Sequence, residues 1–208
     1  MELLKKRSIA ILITVVVAIA ATLFGVHKTA DQHASKVEAM FYEGIYLKDE
    51  GYTQPGLATH LDSCANAALG LATTLEKYPE LAGRAEELLS VRRELIAAES
   101  ISDKSSANQQ MRRCFIDLLD AAQFVDLSEQ DIESVKQYYA QLFGATSAIF
   151  NSRYNDKAYE HFVKFGQSRI VFEIDKLFPL KHPDYFNLIT NDGKDSWPWD
   201  DSHTLSIP

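Results

Sequence analysis

The sequence predicts an all-α protein in which an N-terminal transmembrane helix is followed by an antiparallel, coiled-coil-like four-helix bundle of long helices. Two observations predict this fold: a long uncharged stretch near the N terminus, and apolar residues at heptad spacing through much of the remaining chain. We divide the chain into a basic N-terminal region with the anchor (1–26), a helical bundle domain (27–178) and a loosely ordered C-terminal tail (179–208).

The anchor is predicted from residues 8–26, which contain no charged side chain. At about 1.5 Å per helical residue this stretch reaches roughly 28 Å, close to the thickness of a hydrocarbon core. A secretory signal peptide is the alternative, because Ala18-Ile19-Ala20 resembles a cleavage site behind a basic region. Cleavage there would cut inside the apolar run, which continues to Val26. We therefore expect an uncleaved anchor in the lipid bilayer.

The basic residues flanking the anchor bear on its orientation. Lys5, Lys6 and Arg7 precede it, whereas only Lys28 and Lys36 follow it closely. Because basic flanks tend to stay in the cytoplasm, the count favours a cytoplasmic amino terminus and a chain whose bulk is extracytoplasmic.

The whole chain is acidic, with 21 basic and 29 acidic side chains and a net charge of −8. Such a surface repels phosphate backbones, and no basic stripe offsets it, so we expect no nucleic-acid partner. Partners are expected instead to be membrane or envelope proteins that bind the acidic faces or the tail. A homo-oligomer is compatible with the pattern.

A helix is expected to continue from the anchor through residues 27–48 and to end in the turn-forming stretch at 49–56. A heptad seam follows, in which eleven of twelve positions at alternating four- and three-residue steps are apolar or aromatic. Its positions are Leu57, Leu61, Cys64, Ala68, Leu71, Leu75, Tyr78, Ala82, Ala85, Leu89, Arg92 and Ile96. At Pro79 we expect a kink or a short break in a helix over 57–101, and the heptad phase, which continues past the proline, favours the kink.

A third helix is expected after a polar turn at 100–105, where Ser106 and Gln109 fit a capping box. Its apolar face comprises Ala107, Met111, Cys114, Leu118, Ala121 and Val125.

Ser128 and Asp131 form a second box, which opens the last long helical region. At the polar residues 151–157 this helix either runs through or breaks; we favour the continuous helix, and we expect helical structure to end before Pro179. Its apolar face comprises Ile132, Val135, Tyr139, Leu142, Ile149, Tyr159, Val163, Gly166, Ile170, Ile174 and Leu177.

Cys64 and Cys114 are the only cysteines. In an antiparallel pair of helices over 57–101 and 106–125 they lie ~45 Å apart along the axis. A disulfide requires Cα atoms within about 7 Å, so we predict two unbridged core residues.

The sequence offers no metal, cofactor or catalytic site. A di-iron bundle needs Glu-x-x-His pairs, but no acidic residue stands three positions before His33, His60, His161 or His182. His33 is expected to be a hydrogen-bonded interface histidine rather than a pH switch or a ligand. Cys64, with His60 one turn away, is expected to be a core cysteine beside a partly exposed histidine. No phosphate-binding glycine loop, nucleophile elbow or zinc-protease motif occurs.

Four features carry a resemblance: the N-terminal anchor; the segment Asp62–Asn66 (DSCAN); Asn108-Gln109 at the start of the third helix; and an ending of Ser152–Asn155 (SRYN), Phe178-Pro179 and Tyr185-Phe186. In these the chain resembles a divergent member of the LemA family of bacterial membrane-anchored helical proteins. That family has Asp-x-x-Pro-Asn at the second feature, where this chain has Ala65 in place of the proline, and it has a second Tyr-Asn that this chain lacks.

The resemblance implies a bundle of four long helices at the bacterial cell membrane and implies no catalytic residues. It also implies an amino terminus outside the cell, opposite to the count of basic residues, so the orientation stays open.

Two candidate interaction surfaces remain. Tyr154 and Asn155 lie in the polar interruption of the last helix and could contact a partner, or could hydrogen-bond locally and fix the helix geometry. Trp197 and Trp199, among acidic residues of the tail, could dock to another protein, or the tail could fold back on the bundle or lie at the membrane surface.

We therefore expect a single-pass, membrane-anchored helical-bundle protein of the bacterial inner membrane that serves as a scaffold or interaction module and has no catalytic activity. The alternative is a ligand-sensing bundle of a signalling system, because four-helix bundles hold small ligands between their helices. The lack of a second span or an output domain favours the first function.

Overall fold

The computed structural model describes residues 2–166, 175–176 and 179–187. Most of the described residues are helical, and the strands among them form one small hairpin. The elements in chain order are α1 (Glu2–Glu43), β1 (Ile45–Leu47), β2 (Tyr52–Gln54), α2 (Leu57–Leu75), α3 (Ala82–Ala97), α4 (Ile101–Ala122), α5 (Glu129–Phe150) and α6 (Tyr154–Gly166). A mostly helical chain with an apolar N-terminal helix is thus confirmed, whereas the antiparallel four-helix arrangement stays a prediction.

The N-terminal part of α1 is long and apolar enough to cross a membrane. None of its most apolar residues is buried by the rest of the protein, and Phe24 is 71% exposed. The Thr14 hydroxyl donates to the Ala10 carbonyl at 3.0 Å, so this polar group is satisfied within the helix. Internal satisfaction of polar groups is what a hydrocarbon environment requires.

A hairpin, rather than further helix, follows α1. The prediction that the helix continues through residue 48 is wrong, because the chain turns at Gly44. This residue has φ +95°, in the left-handed region that favours glycine, and its N–H donates to the Met40 carbonyl at 3.1 Å. The antiparallel strands then pair with Ile45 opposite Gln54.

The kinked helix expected over 57–101 is two helices, α2 and α3, separated by a turn at 76–81 that contains Pro79. The kink prediction is wrong because the heptad phase does not survive this turn. After it, Ala85 is buried as expected, but the other buried positions come one residue earlier, so Leu88 is buried where Leu89 was expected, and Ile96 is 55% exposed. The buried residues of this part are Leu81, Ala85, Leu88, Val91 and Leu95.

The third helix begins one turn earlier than expected. Residues 100–105 were predicted to be a turn, but Ser100 is the N-cap of α4, and its Oγ accepts the Asp103 N–H at 2.9 Å. The Ser100 hydroxyl also donates to the Asp103 carboxylate at 2.6 Å. This pair replaces the predicted box at Ser106, whose hydroxyl instead donates to the Ser102 carbonyl within the helix.

The predicted start of α5 is confirmed, because Ser128 is its N-cap and accepts the Asp131 N–H at 3.2 Å. The predicted continuation through residues 151–157 is wrong, since α5 ends at Phe150 and α6 begins at Tyr154. At the break, the Asn151 side-chain amide donates to the Ser147 carbonyl at 2.9 Å. Asparagine competes in this way with helix continuation.

The restart of the helix at α6 changes which of its side chains are buried. Tyr159 and Val163 were expected on the apolar face but are 56% and 36% exposed. The buried residues are instead Tyr154, Ala158, His161 and Phe165, which recur at four- and three-residue steps. The predicted positions Ile170, Ile174 and Leu177 lie outside the described residues.

Contacts divide the chain into two compact units. Unit 1 holds the described residues of 1–39 and 156–183, and unit 2 those of 40–155 and 184–208. In unit 1, Ala30, Phe165 and Leu180 form a small apolar core. In unit 2, α2 packs against α5 and α3, and α3 packs against α4. The predicted domain boundaries at 26/27 and 178/179 stay predictions.

The two cysteines are unbridged core residues of unit 2, as predicted. Cys64 is fully buried and lies 3.9 Å from the Thr146 hydroxyl. Burial raises the pKa of the Cys64 thiol to about 11, so it stays protonated at neutral pH.

Candidate functional site

Tyr154 and Asn155 hold the chain segment that contains Asp184 and Phe186. The buried Tyr154 hydroxyl donates to the Asp184 carbonyl at 2.7 Å, and its ring meets that of Phe41 edge-on at 5.4 Å. The Asn155 amide donates to the Phe186 carbonyl at 2.8 Å and accepts the Phe186 N–H at 3.0 Å. These contacts fit the local hydrogen-bonding alternative, and a partner-binding role for the two residues stays a prediction.

Trp197 and Trp199 lie outside the described residues. Of the predicted tail in unit 2, the segment 184–187 is held by side chains of α4. The Asn187 carbonyl accepts hydrogen bonds from the Ser105 hydroxyl at 2.6 Å and from the Gln109 amide at 2.7 Å.

An acidic groove lies in unit 2, between the start of α3 and the end of α4, with a volume of about 620 Å³. Its acidic residues are Glu80, Glu87, Asp117 and Asp120, and its one basic residue is Arg84. Its apolar residues are Leu81, Ala121, Phe124 and Val125, beside Cys114. Phe124 is 90% exposed, the largest exposure among the large apolar side chains that the structure describes.

The negative field of this groove acts on Cys114. Burial raises the pKa of the Cys114 thiol, and the carboxylates of Glu87, Asp117 and Glu94 raise it further. Of the groove acids, Glu87 and Asp117 are therefore both near enough to Cys114 to act on it, and a cation placed there would be attracted.

Asn108 is a polar residue in the interior of unit 2. It is 0% exposed, and neither atom of its amide has a hydrogen-bond partner among the described residues. One turn later, the guanidinium of Arg112 is buried, and desolvation lowers its pKa. A buried amide without partners costs free energy unless a water or a ligand satisfies it.

The prediction that His33 is hydrogen-bonded is confirmed in unit 1. His33 Nδ1 lies 3.0 Å from His161 Nδ1, and the His182 ring lies next to that of His161. Among the described residues, no group of three or more His, Cys, Asp or Glu side chains is arranged to hold a metal ion.

Comparison with protein-family models, curated proteins and solved structures finds no match to this chain. The fold thus defines a class, a mostly helical protein with one N-terminal helix apolar enough to span a membrane. Membership of the LemA family stays a prediction that rests on the short motifs.

Sequence reasoning missed the groove, although part of its signal was present. Asp117 and Asp120 are one turn apart and share a face of α4, whereas Glu80 lies in the turn before α3 and Glu87 on α3 itself. That the two pairs face one groove depends on how α3 packs against α4. Asn108 was singled out only as part of the Asn108-Gln109 motif, and its burial was not expected because it lies one residue away from the predicted seam position Ala107.

Proposed function

We propose that this protein is a membrane-anchored, LemA-like helical interaction module of the bacterial inner membrane, with no catalytic role. The anchor is residues 8–26, supported by an uncharged, unburied helix of sufficient length. The single observation that carries the interaction role is the acidic groove between α3 and α4.

The groove fits a basic peptide segment that carries an apolar side chain. Four carboxylates face one guanidinium, so the site is complementary to lysine and arginine. The exposed ring of Phe124 and the half-buried Ala121 and Val125 supply an apolar surface, and aromatic side chains are typical anchors of protein interfaces. The partner is therefore expected to be a membrane or envelope protein with a cytoplasmic or external basic segment, according to the orientation of the anchor.

A photo-crosslinking amino acid at position 124 tests this function in intact cells. We expect it to capture one discrete membrane protein through a basic segment, identified by mass spectrometry of the crosslinked peptide. The double change Asp117→Lys with Asp120→Lys is expected to lower the crosslinking yield at least tenfold, because it reverses the charge of the groove. The matched control is Glu86→Lys with Glu133→Lys, at exposed sites that do not line the groove.

A crosslinker at Phe150, which is 60% exposed and outside the groove, controls for non-specific capture. Equal capture at positions 124 and 150, or equal loss with both double changes, would contradict the proposal.

A second function, the sensing of a small polar ligand inside unit 2, is favoured by the buried amide of Asn108. We expect Asn108→Leu to raise the unfolding temperature of the ligand-free protein, since it replaces a partnerless amide with an apolar group of similar size, a gain of about 1 kcal/mol. The same change should abolish any thermal shift that a polar metabolite gives the native chain. The control is Ser106→Ala, on the exposed side of α4. A fall in unfolding temperature with Asn108→Leu, without any metabolite shift in the native chain, would exclude this second function.

A further inference from the structure

Three histidines lie together in unit 1, each on a different segment: His161 is buried, and His33 and His182 are half-buried. His33 is on α1, His161 is on α6, and His182 is in the segment 179–183. The His161 ring centroid lies 5.1 Å from that of His33 and 5.6 Å from that of His182. Phe165 lies 4.8 Å from the His161 ring and 5.5 Å from the His33 ring.

The contact between His33 and His161 constrains their protons. Their Nδ1 atoms are 3.0 Å apart, so one nitrogen carries a hydrogen and donates it while the other accepts. A single added proton leaves this arrangement possible, because an imidazolium can donate to a neutral imidazole. A second proton places hydrogens on both Nδ1 atoms, and the hydrogen bond becomes a repulsion between two cations.

The surroundings offer little compensation for such charges. His161 is 0% exposed, and neither its Nε2 atom nor the Nδ1 atom of His182 has a hydrogen-bond partner in the described part of the chain. Burial lowers the pKa of His161 to about 4, and His33, His182 and Lys164 lower it further, whereas the backbone of Lys181 acts in the opposite direction.

His33 lies beyond the apolar span, and most of the groups near it lower its pKa. Burial, Lys164 and Lys36 lower the pKa of His33, and only Glu160 raises it. The Glu38 carboxylate accepts a hydrogen bond from the Lys181 ammonium, so it is already paired with a cation. Asp31 contacts His27 at 3.0 Å and accepts the Lys181 N–H at 3.3 Å.

We propose that His33, His161 and His182 form an acid-sensitive latch, which holds α6 and the segment 179–183 against α1 at neutral pH and releases them when the histidines become protonated. The latch goes beyond the proposed docking function, and it uses residues of unit 1 only. It gives His33 the pH-dependent role that was not expected from the sequence, which does not show the contact with His161. Histidine is suited to this role because its charge changes between neutral and mildly acidic pH.

The direction of the effect follows from proton linkage. The pKa of His161 is about 4 in the closed state and returns toward the ordinary 6.5 when α6 is released. Between these values the open state binds more protons, so the closed state is favoured above pH 6.5 and loses stability as the pH falls toward 4. From pH 7 to pH 4.5 the ratio of open to closed molecules is expected to rise about 50-fold.

Hydrogen exchange of the full chain in lipid nanodiscs tests the latch. Protection of the peptide 156–166 is compared with that of α5 in the same sample, at pH 7.0 and 4.5, after correction for the intrinsic exchange rate. We expect the protection of 156–166 relative to α5 to fall by several tens of times at pH 4.5, while α5 keeps its protection.

His161→Phe should remove most of this pH dependence, because phenylalanine fills the apolar site without titrating. His33→Gln is the second variant, since glutamine can still hydrogen-bond to His161 but cannot be protonated. His60→Gln, in α2 of unit 2, is the control and should leave the effect unchanged.

A native chain whose relative protection changes less than threefold overturns the proposal. It is also overturned if α5 loses protection in parallel with 156–166, or if the effect persists in His33→Gln and His161→Phe alike.

Discussion

Gly44→Ala is expected to destabilise the protein by about 3 kcal/mol or more, through backbone strain and a steric clash together. Gly44 has φ +95°, a conformation that alanine adopts only at a cost of about 1–2 kcal/mol. A Cβ atom there would also lie 2.2 Å from the Gln54 carbonyl oxygen and 3.1 Å from the Gly56 nitrogen. Both are backbone atoms of the hairpin region, so neither can rotate away.

Gly51→Ala is the matched control, because it introduces the backbone strain of a positive φ without a steric clash. Gly51 has φ +72°, but nothing lies within 4 Å of a Cβ placed there. It should therefore cost only about 1 kcal/mol. Urea unfolding of the full chain in mild detergent, followed by circular dichroism at 222 nm, measures both. Equal costs for the two variants would show that the close approach of Gly44 to the Gln54 carbonyl contributes nothing.

Asp131→Asn is expected to lower the free energy of unfolding by about 2 kcal/mol, because it disrupts the contact between α5 and the turn at 76–81. The buried Asp131 carboxylate accepts hydrogen bonds from the Lys77 ammonium at 2.8 Å and from the Tyr78 hydroxyl at 2.6 Å, and also from the Ser128 hydroxyl. Asparagine removes the charge and presents an N–H₂ group to side chains that are donors. Asp126→Asn, at an exposed position of the preceding loop, is the control and should have little effect.

The cost of Asp131→Asn is expected to depend on pH. Hydrogen bonds from Lys77, Ser128 and Tyr78 lower the pKa of Asp131 from 3.8 to about 2. A carboxylate with a depressed pKa adds stability that is fully present above pH 3.8 and is lost as the pH falls through 2. Lys77 is 57% exposed, so solvent screens part of this gain. The difference in the free energy of unfolding between the native chain and Asp131→Asn should shrink by half or more from pH 5 to pH 2.5. A difference that stays constant would contradict the lowered pKa of Asp131.

The helices themselves were largely predictable, because their signals are local. The uncharged run of residues 8–26 and the Ser128 cap each depend on neighbours within one or two helical turns, and the structure reproduces the apolar helix and the cap. The burial of Leu57, Leu61 and Cys64 likewise follows from spacing alone, since α2 is uninterrupted at that point.

The rotations of the helices after each interruption were not predictable. One residue turns a helix by about 100°, so the turn at 76–81 was enough to bury Leu88 in place of Leu89. The break before Tyr154 likewise placed His161 on the buried face of α6 and left Tyr159 exposed.

The sequence by itself therefore determined most of the helical residues and which stretch is apolar enough for a membrane, because these depend on contacts between residues close in the chain. It did not determine where the helices break, at Gly44, 76–81 and 151–153. Tertiary structure alone decided which side chains meet. The pairing of His33 with His161, and the gathering of Glu87 and Asp117 at one groove, join residues far apart in sequence. Their meeting depends on the rotation and packing of whole helices, which local patterns leave undetermined.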